Sequence, residues 1–221
     1  MLEFIKKQGA AEPISLIYCI PNSIAMACVL FVPQNESKFG FLRKFKWQVT
    51  LMTFLDVAGT TLTLFGQLLC GSGIYIIIYS SLTIWSALGS RVLLKKTFTW
   101  VQLVGIIVVT AGLAVSGADS FSEGAKIVWG VIVTLVGTIF HSCVYWVNEF
   151  FNQEYGVNMQ IMCGFSGLFG MCAFLVYEFC YPIPFYDKVF VQPVLEKDGI
   201  WWQIILLYLG LIVVDLMHMY A

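Results

Sequence analysis

Apolar stretches of 19 to 23 residues recur seven times along this 221-residue chain, at 14–32, 47–69, 73–94, 99–117, 126–148, 159–181 and 200–221. About 20 helical residues cross the ~30 Å hydrocarbon layer of a bilayer. Backbone in lipid must satisfy its own N–H and C=O groups, so such stretches form helices rather than isolated strands. Membrane-spanning barrels alternate polar and apolar residues in runs of about ten, a pattern missing here. The expected fold class is all-α, a polytopic membrane helix bundle with about seven transmembrane helices. Charged residues are only 11% of the chain and the mean hydropathy is +0.85, whereas a water-facing surface uses about 25%. Lys6 and Lys7 precede the first stretch as in a cleaved signal. Its length and the internal Pro21-Asn22 instead favour a retained helix.

Loop charge sets the orientation. Lys38, Arg43, Lys44 and Lys46 follow the first stretch, and Arg91, Lys95 and Lys96 lie in or beside the break after the third, whereas 70–72 and 118–125 hold no basic residue. The positive-inside rule places 33–46 and 95–98 in the cytoplasm; Lys6 and Lys7 pull the other way. Asn35-Glu36-Ser37 is a glycosylation sequon that would stay bare there. A net charge of −1 gives no electrostatic basis for nucleic acid as a partner. The seven cysteines lie in or beside apolar segments without a C-x-x-C pair. They read as buried small hydrophobes, and neither a metal nor a cofactor is expected.

Polar residues inside such helices face a bundle interior or an aqueous path. At about 100° per residue, Asp56, Gly59, Thr60, Thr63 and Gln67 share one face of the second helix. In the third, Ser72, Tyr75, Tyr79, Thr83, Ser86 and Ser90 align, with Ile77, Trp85 and Leu88 behind them. The fifth aligns Gly130, Thr134, Gly137, His141, Tyr145 and Asn148. Small residues at this spacing also serve to bring helices together. That reading suits Gly105 and Gly112 in the fourth helix and Gly164, Gly167 and Gly170 in the sixth. It does not suit Asp56, because a carboxylate at mid-membrane costs ~2.5–3.5 kcal/mol. Asp215 and His218 in the last helix raise the same question. The candidate solute pathway is therefore Asp56, Thr60, Thr63, Gln67, Tyr75, Tyr79, Thr83, Thr134, His141, Tyr145 and Asp215. Acids lie inside the membrane and every Lys and Arg lies at an end or in a loop. A phosphate-bearing solute would call for basic residues in the cavity, so a cationic or neutral solute, or proton coupling through Asp56, fits better. An unperturbed histidine titrates near neutral pH, so His141 is a candidate for that role, and a hydrogen-bonded interior histidine is its plainer reading.

Three segments carry a family resemblance. They are Phe54-Leu55-Asp56-Val57-Ala58-Gly59-Thr60, the run from Tyr79 to Arg91 leading into Leu94-Lys95-Lys96, and Trp100-Val101-Gln102-Leu103-Val104-Gly105 with Ala111-Gly112-Leu113. Residues 46–121 resemble the drug/metabolite transporter superfamily (EamA-like), in particular solute carrier family 35 and its chloroquine-resistance-transporter-like relatives. The region from Gly137 to Glu149 is similar more loosely. The resemblance implies ten helices in two five-helix repeats with cytoplasmic termini. The helices here would be numbers two to eight, with 14–117 the remainder of the first repeat and 126–221 an incomplete second. A partial chain is thus expected. Relatives with Gln and Arg early in the fourth helix differ from this chain, which has Ile76 and Tyr79.

The expected function is alternating-access transport of a small organic solute, with the lipid bilayer as surroundings and a second copy of the chain as a candidate partner. The membrane could be endomembrane (Golgi, vacuole or lysosome) or plasma membrane. A seven-helix receptor and a non-transporting scaffold are the alternatives. Receptor signatures are absent, as are Gly-x-Ser-x-Gly and His-Glu-x-x-His, so no enzyme is expected.

Overall fold

A computed structural model describes residues 16–32, 37–93, 95, 99–120, 125–185, 191–196 and 200–220. Among the described residues the regular elements are helical and no strand occurs. In chain order they are α1 (Ile20–Cys28), α2 (Lys38–Lys44), α3 (Lys46–Cys70), α4 (Ser72–Tyr79) and α5 (Leu82–Leu93). After them come α6 (Trp100–Ser120), α7 (Ala125–Tyr155), α8 (Met159–Cys180), α9 (Gln192–Glu196) and α10 (Trp201–Tyr220). Four described stretches are long and apolar enough to cross a membrane: Lys46–Cys70, Ser72–Val92, Ala125–Tyr155 and Met159–Phe185. Ile17–Phe31, Trp100–Val109 and Trp201–Met217 are shorter apolar helices. The Lys6/Lys7 pair, the Asn35-Glu36 part of the sequon and the His218 side chain lie outside the described residues.

The helices form two compact units, Met1–Thr53 with Asn158–Ala221, and Phe54–Val157. In the first, α1 lies against α8 and α10. A β-carbon at Gly167 would fall 2.7 Å from Ala27 N and 2.8 Å from Ser23 O, so α8 meets α1 backbone to backbone. Gly164 is closed in the same way by Leu30, as the spacing of these glycines predicts. Pro21 occupies the first turn of α1, where its missing N–H is tolerated. The carbonyl that this N–H would have met, on Ile17, accepts the Ile20 N–H and also the Tyr208 hydroxyl, the latter at 2.9 Å. Leu16 N–H, at the entry to the same helix, donates to the buried Glu178 carboxylate at 2.6 Å. Thus α8 and α10 each tie a backbone group at the start of α1.

In the second unit, Gly71 (φ +82°) turns the chain between α3 and α4. The stretch read as one helix over 73–94 remains one membrane-length stretch, Ser72–Val92, with a local irregularity at Ser80–Ser81 that divides it into α4 and α5. There the ladder tightens to three-residue bonds, Ser81 N–H to Ile78 O at 2.9 Å and Ile84 N–H to Ser81 O at 2.9 Å. The Ser80 hydroxyl donates to Ile77 O as well, at 2.6 Å. Such a change of ladder rotates the residues C-terminal to it, so the polar line from Ser72 to Ser90 does not persist. Thr83 emerges exposed, while Ser81 and Gly89 are buried. In α7 the helix runs on to Tyr155, past the end of its apolar stretch, and stops at Gly156 (φ +58°). The Gly156 N–H closes it on Asn152 O at 3.0 Å, a left-handed cap. Gly105 and Gly112 of α6 differ from expectation, since a β-carbon at either meets nothing within 4 Å. They bring no helices together among the described residues.

Candidate functional site

The polar faces of α3 and α7 meet along an antiparallel seam. A β-carbon at Gly137 would lie 2.9 Å from Thr63 N, and one at Gly66 would lie 2.8 Å from Thr134 N. At the end of the seam, Gly130 is equally close to Cys70, its β-carbon 2.7 Å from Cys70 N. Backbones this close leave no room for a solute. The hydroxyls along the seam are satisfied within their own helices. Thr63 Oγ1 donates to Gly59 O at 2.9 Å and Thr134 Oγ1 to Gly130 O at 2.8 Å. A back-bonded hydroxyl costs little in lipid and needs no pathway to explain it. Thr63 and Thr134, both candidates from the polar stripes, are therefore packing residues in this structure.

Further along the same faces the chemistry changes. Asp56 is buried, 8% exposed. Among the described residues no basic side chain accompanies it, since Lys38, Arg43, Lys44, Lys46, Arg91, Lys95 and Lys126 all sit at or beside helix ends. The Tyr79 hydroxyl lies in electrostatic range of Asp56, Tyr75 and Tyr145. The same hydroxyl is 3.4 Å from His141 Nδ1 and the two rings meet edge to face. Tyr75 stacks on Tyr79, centroids 5.4 Å apart, and its hydroxyl approaches Thr63. His141 rests against Gly59 so closely that a β-carbon there would overlap the imidazole.

Among the described residues of this unit, four polar side-chain atoms are buried without a hydrogen-bond partner, Thr60 Oγ1, Trp85 Nε1, His141 Nε2 and Asn148 Oδ1, although the His141 ring does bond to the Gly59 backbone. Buried polar atoms are nearly always paired in folded proteins, and an orphan costs about 1–3 kcal/mol. The orphans separate Thr60 from Thr63: one turn apart on one helix, one hydroxyl is unmatched and the other is not.

The structure thus brings together Asp56, Thr60, Tyr75, Tyr79, His141 and Tyr145, with Thr63 and Thr134 in the adjoining seam. Gln67 is half-buried further along α3, and Thr83 points away, exposed. Asp215 is half-buried on α10, in the other unit. Sequence reasoning assigned Trp85 to the apolar back of its helix, whereas its Nε1 is buried without a hydrogen-bond partner. It also missed Glu178, whose signal was plain, a carboxylate three residues before the end of an apolar stretch.

Residues 11–193 match the chloroquine-resistance transporter-like family. The chain belongs to that family. It is accordingly an integral membrane protein of the drug/metabolite transporter superfamily. Over 141 residues it is 28% identical to an uncharacterized protein of Schizosaccharomyces pombe, covering 63% of this chain and 44% of the relative. The chain therefore spans less than half the length of the curated relative it matches. No solved structure matches it.

Proposed function

We propose that this family member carries a small organic solute across a membrane by alternating access, along the face formed by Asp56, Thr60, Tyr79, His141 and Tyr145. The observation that carries the reading is the coincidence, in one unit, of a buried carboxylate with no basic neighbour among the described residues and four unmatched polar atoms. Helix packing requires neither, while a solute path supplies both with partners. The seven apolar segments then correspond to helices two to eight of a ten-helix, two-repeat plan of the EamA-like, solute carrier family 35 kind. The solute is cationic or neutral, because acid without Lys or Arg disfavours phosphate. Proton exchange at Asp56 is the coupling this arrangement allows, and the chemistry is transport without catalysis. The chain resides in an endomembrane or the plasma membrane, alone or paired with a second copy.

The test is uptake by the chain reconstituted in liposomes, against a panel of labelled organic amines, neutral amino acids and sugar phosphates. At least one amine or neutral solute should accumulate above protein-free liposomes. Movement of sugar phosphates alone would overturn the assignment of solute charge. Movement of no solute by well-folded protein would favour a scaffold.

A further inference from the structure

In the first unit a short basic helix, α2, joins α1 to α3. Phe41 of α2 is buried, as are Phe45 and Val49, so the chain turns a large apolar residue inward every fourth position. Phe45 N–H bonds Phe41 O at 2.9 Å and Val49 N–H bonds Phe45 O at 3.0 Å, which carries the helical ladder across the junction. The Phe41 and Phe45 rings lie 5.0 Å apart, and α2 rests against α8. One face of α2 and of the start of α3 is thereby fixed to the helices beneath.

The opposite face has a different composition. Phe39 is 84% exposed and Trp47 75%, with Arg43, Lys44 and Lys46 exposed between them. At about 100° per residue, Phe39, Arg43, Lys46 and Trp47 fall within an arc of about 100°. No acidic residue occurs from Ser37 to Leu55. Glu178, the one charged residue of α8, bonds Leu16 N–H at the other end of α1, ~20 Å from Leu30. Two of the cations are already engaged. Lys38 donates to Leu30 O, and the Lys44 ammonium rests over the Phe45 ring, 4.9 Å from its centroid. The Arg43 guanidinium and the Lys46 ammonium have no partner among the described residues.

Water is a poor neighbour for two large aromatic side chains, and hydrocarbon is a poor one for Arg and Lys. The headgroup layer of a bilayer suits both, since aromatic rings settle at the acyl boundary while cations meet phosphate. Lys46 and Trp47 open a helix long and apolar enough to cross a membrane, Lys46–Cys70, which puts this face at that layer.

We propose that the exposed face of α2 and the first turn of α3 is a binding site for anionic phospholipid: Arg43 and Lys46 hold the headgroup while Phe39 and Trp47 enter the top of the acyl layer. Arg43 offers phosphate a planar fork and Lys46 a point charge. A zwitterionic headgroup carries the same phosphate but adds a cation that both residues repel, so the site selects net negative charge. Phe41 and Phe45 position the face and do not touch the lipid. The site is separate from the proposed solute path and stands or falls without it.

The full chain is reconstituted in nanodiscs of equal phosphatidylserine and phosphatidylcholine and released into an uncharged detergent. Native mass spectrometry then counts the lipids that stay bound. A basic residue near an anionic surface is worth about fivefold in affinity, so phosphatidylserine should exceed phosphatidylcholine by roughly 25-fold through Arg43 and Lys46. The double variant Arg43→Gln/Lys46→Gln should bring the two lipids to near parity. Arg91→Gln/Lys126→Gln removes the same charge from exposed positions elsewhere and should keep the excess. Release of the parent chain in ~1 M salt, which screens charges beyond ~3 Å, should also cut the excess and needs no variant. Parity in the parent chain overturns the site. So does an excess that survives Arg43→Gln/Lys46→Gln or the salt, or one that falls equally in the two double variants.

Discussion

Replacing Gly66 by alanine asks whether the α3–α7 seam is as close as the structure has it. The added methyl would lie 2.8 Å from Thr134 N and 3.0 Å from Gly130 O. Both are backbone atoms, so no rotamer change relieves the overlap, and the helices must part by roughly half an ångström. A gap of that size forfeits about a quarter of the dispersion well for the atoms lining it, and overpacking a close contact costs about 1–3 kcal/mol. Against this, alanine is the better helix former by up to ~1 kcal/mol, leaving a net loss of about 1–2 kcal/mol. At roughly 2–4 °C per kcal/mol for a chain of this size, the melting temperature in detergent should fall by about 2–8 °C. Gly105→Ala is the matched control. It meets nothing within 4 Å among the described residues, so only the helix-forming advantage acts and its melting temperature should hold or rise. Fluorescence-detected size exclusion after heating measures both. Equal behaviour of the two variants, or a Gly66→Ala protein as stable as its parent, would refute the seam.

Other consequences are as specific. Tyr208→Phe removes the hydroxyl that bonds Ile17 O and should destabilise the chain by about 1 kcal/mol, visible in the same melting assay. Glu178→Leu leaves Leu16 N–H without its acceptor and should cost about 1–3 kcal/mol, whereas Glu178→Gln, which keeps an acceptor oxygen, should cost less. If Leu and Gln at 178 melt alike, the cap does not hold α1. Gly89→Ala should displace Trp146, whose ring fills the space above that glycine, and so shift the tryptophan emission spectrum. An unchanged spectrum would place the ring elsewhere. Asn35 should carry no glycan, since its loop belongs with the basic side; an endoglycosidase-sensitive gel shift would invert the orientation.

Membrane helices were legible in the sequence because an unbroken apolar run of ~20 residues matches the thickness of a bilayer and little else. Asp56 stood out for the same reason, a carboxylate being costly in lipid, and the structure buries it. The division of the polar stripes was not. Thr60 and Thr63 share a face and a side chain, and only the structure shows that Gly59 O satisfies one hydroxyl while the other stays unmatched. Helical phase predicted a continuous line from Tyr79 to Thr83, but the irregularity at Ser80–Ser81 lies in a run of apolar and small residues with no proline or glycine to announce it. The glycines show the same limit. Gly105 and Gly167 have identical local claims to packing, and the decision rests on which partner helix arrives, information that is not local in the chain. Tyr208 and Ile17 make the point at greatest separation: nothing local to Ile17 announces that a tyrosine from α10 will bond its carbonyl.

The transport proposed for this chain depends on Asp56 serving a solute path rather than helix packing. Uptake of the best solute from the panel should be measured for Asp56→Asn and the parent chain, at equal amounts of folded protein in liposomes. Asparagine fills the same space and should leave the melting temperature nearly unchanged while uptake falls to the level of protein-free liposomes. Full uptake by a normally folded Asp56→Asn protein would contradict the role given to Asp56.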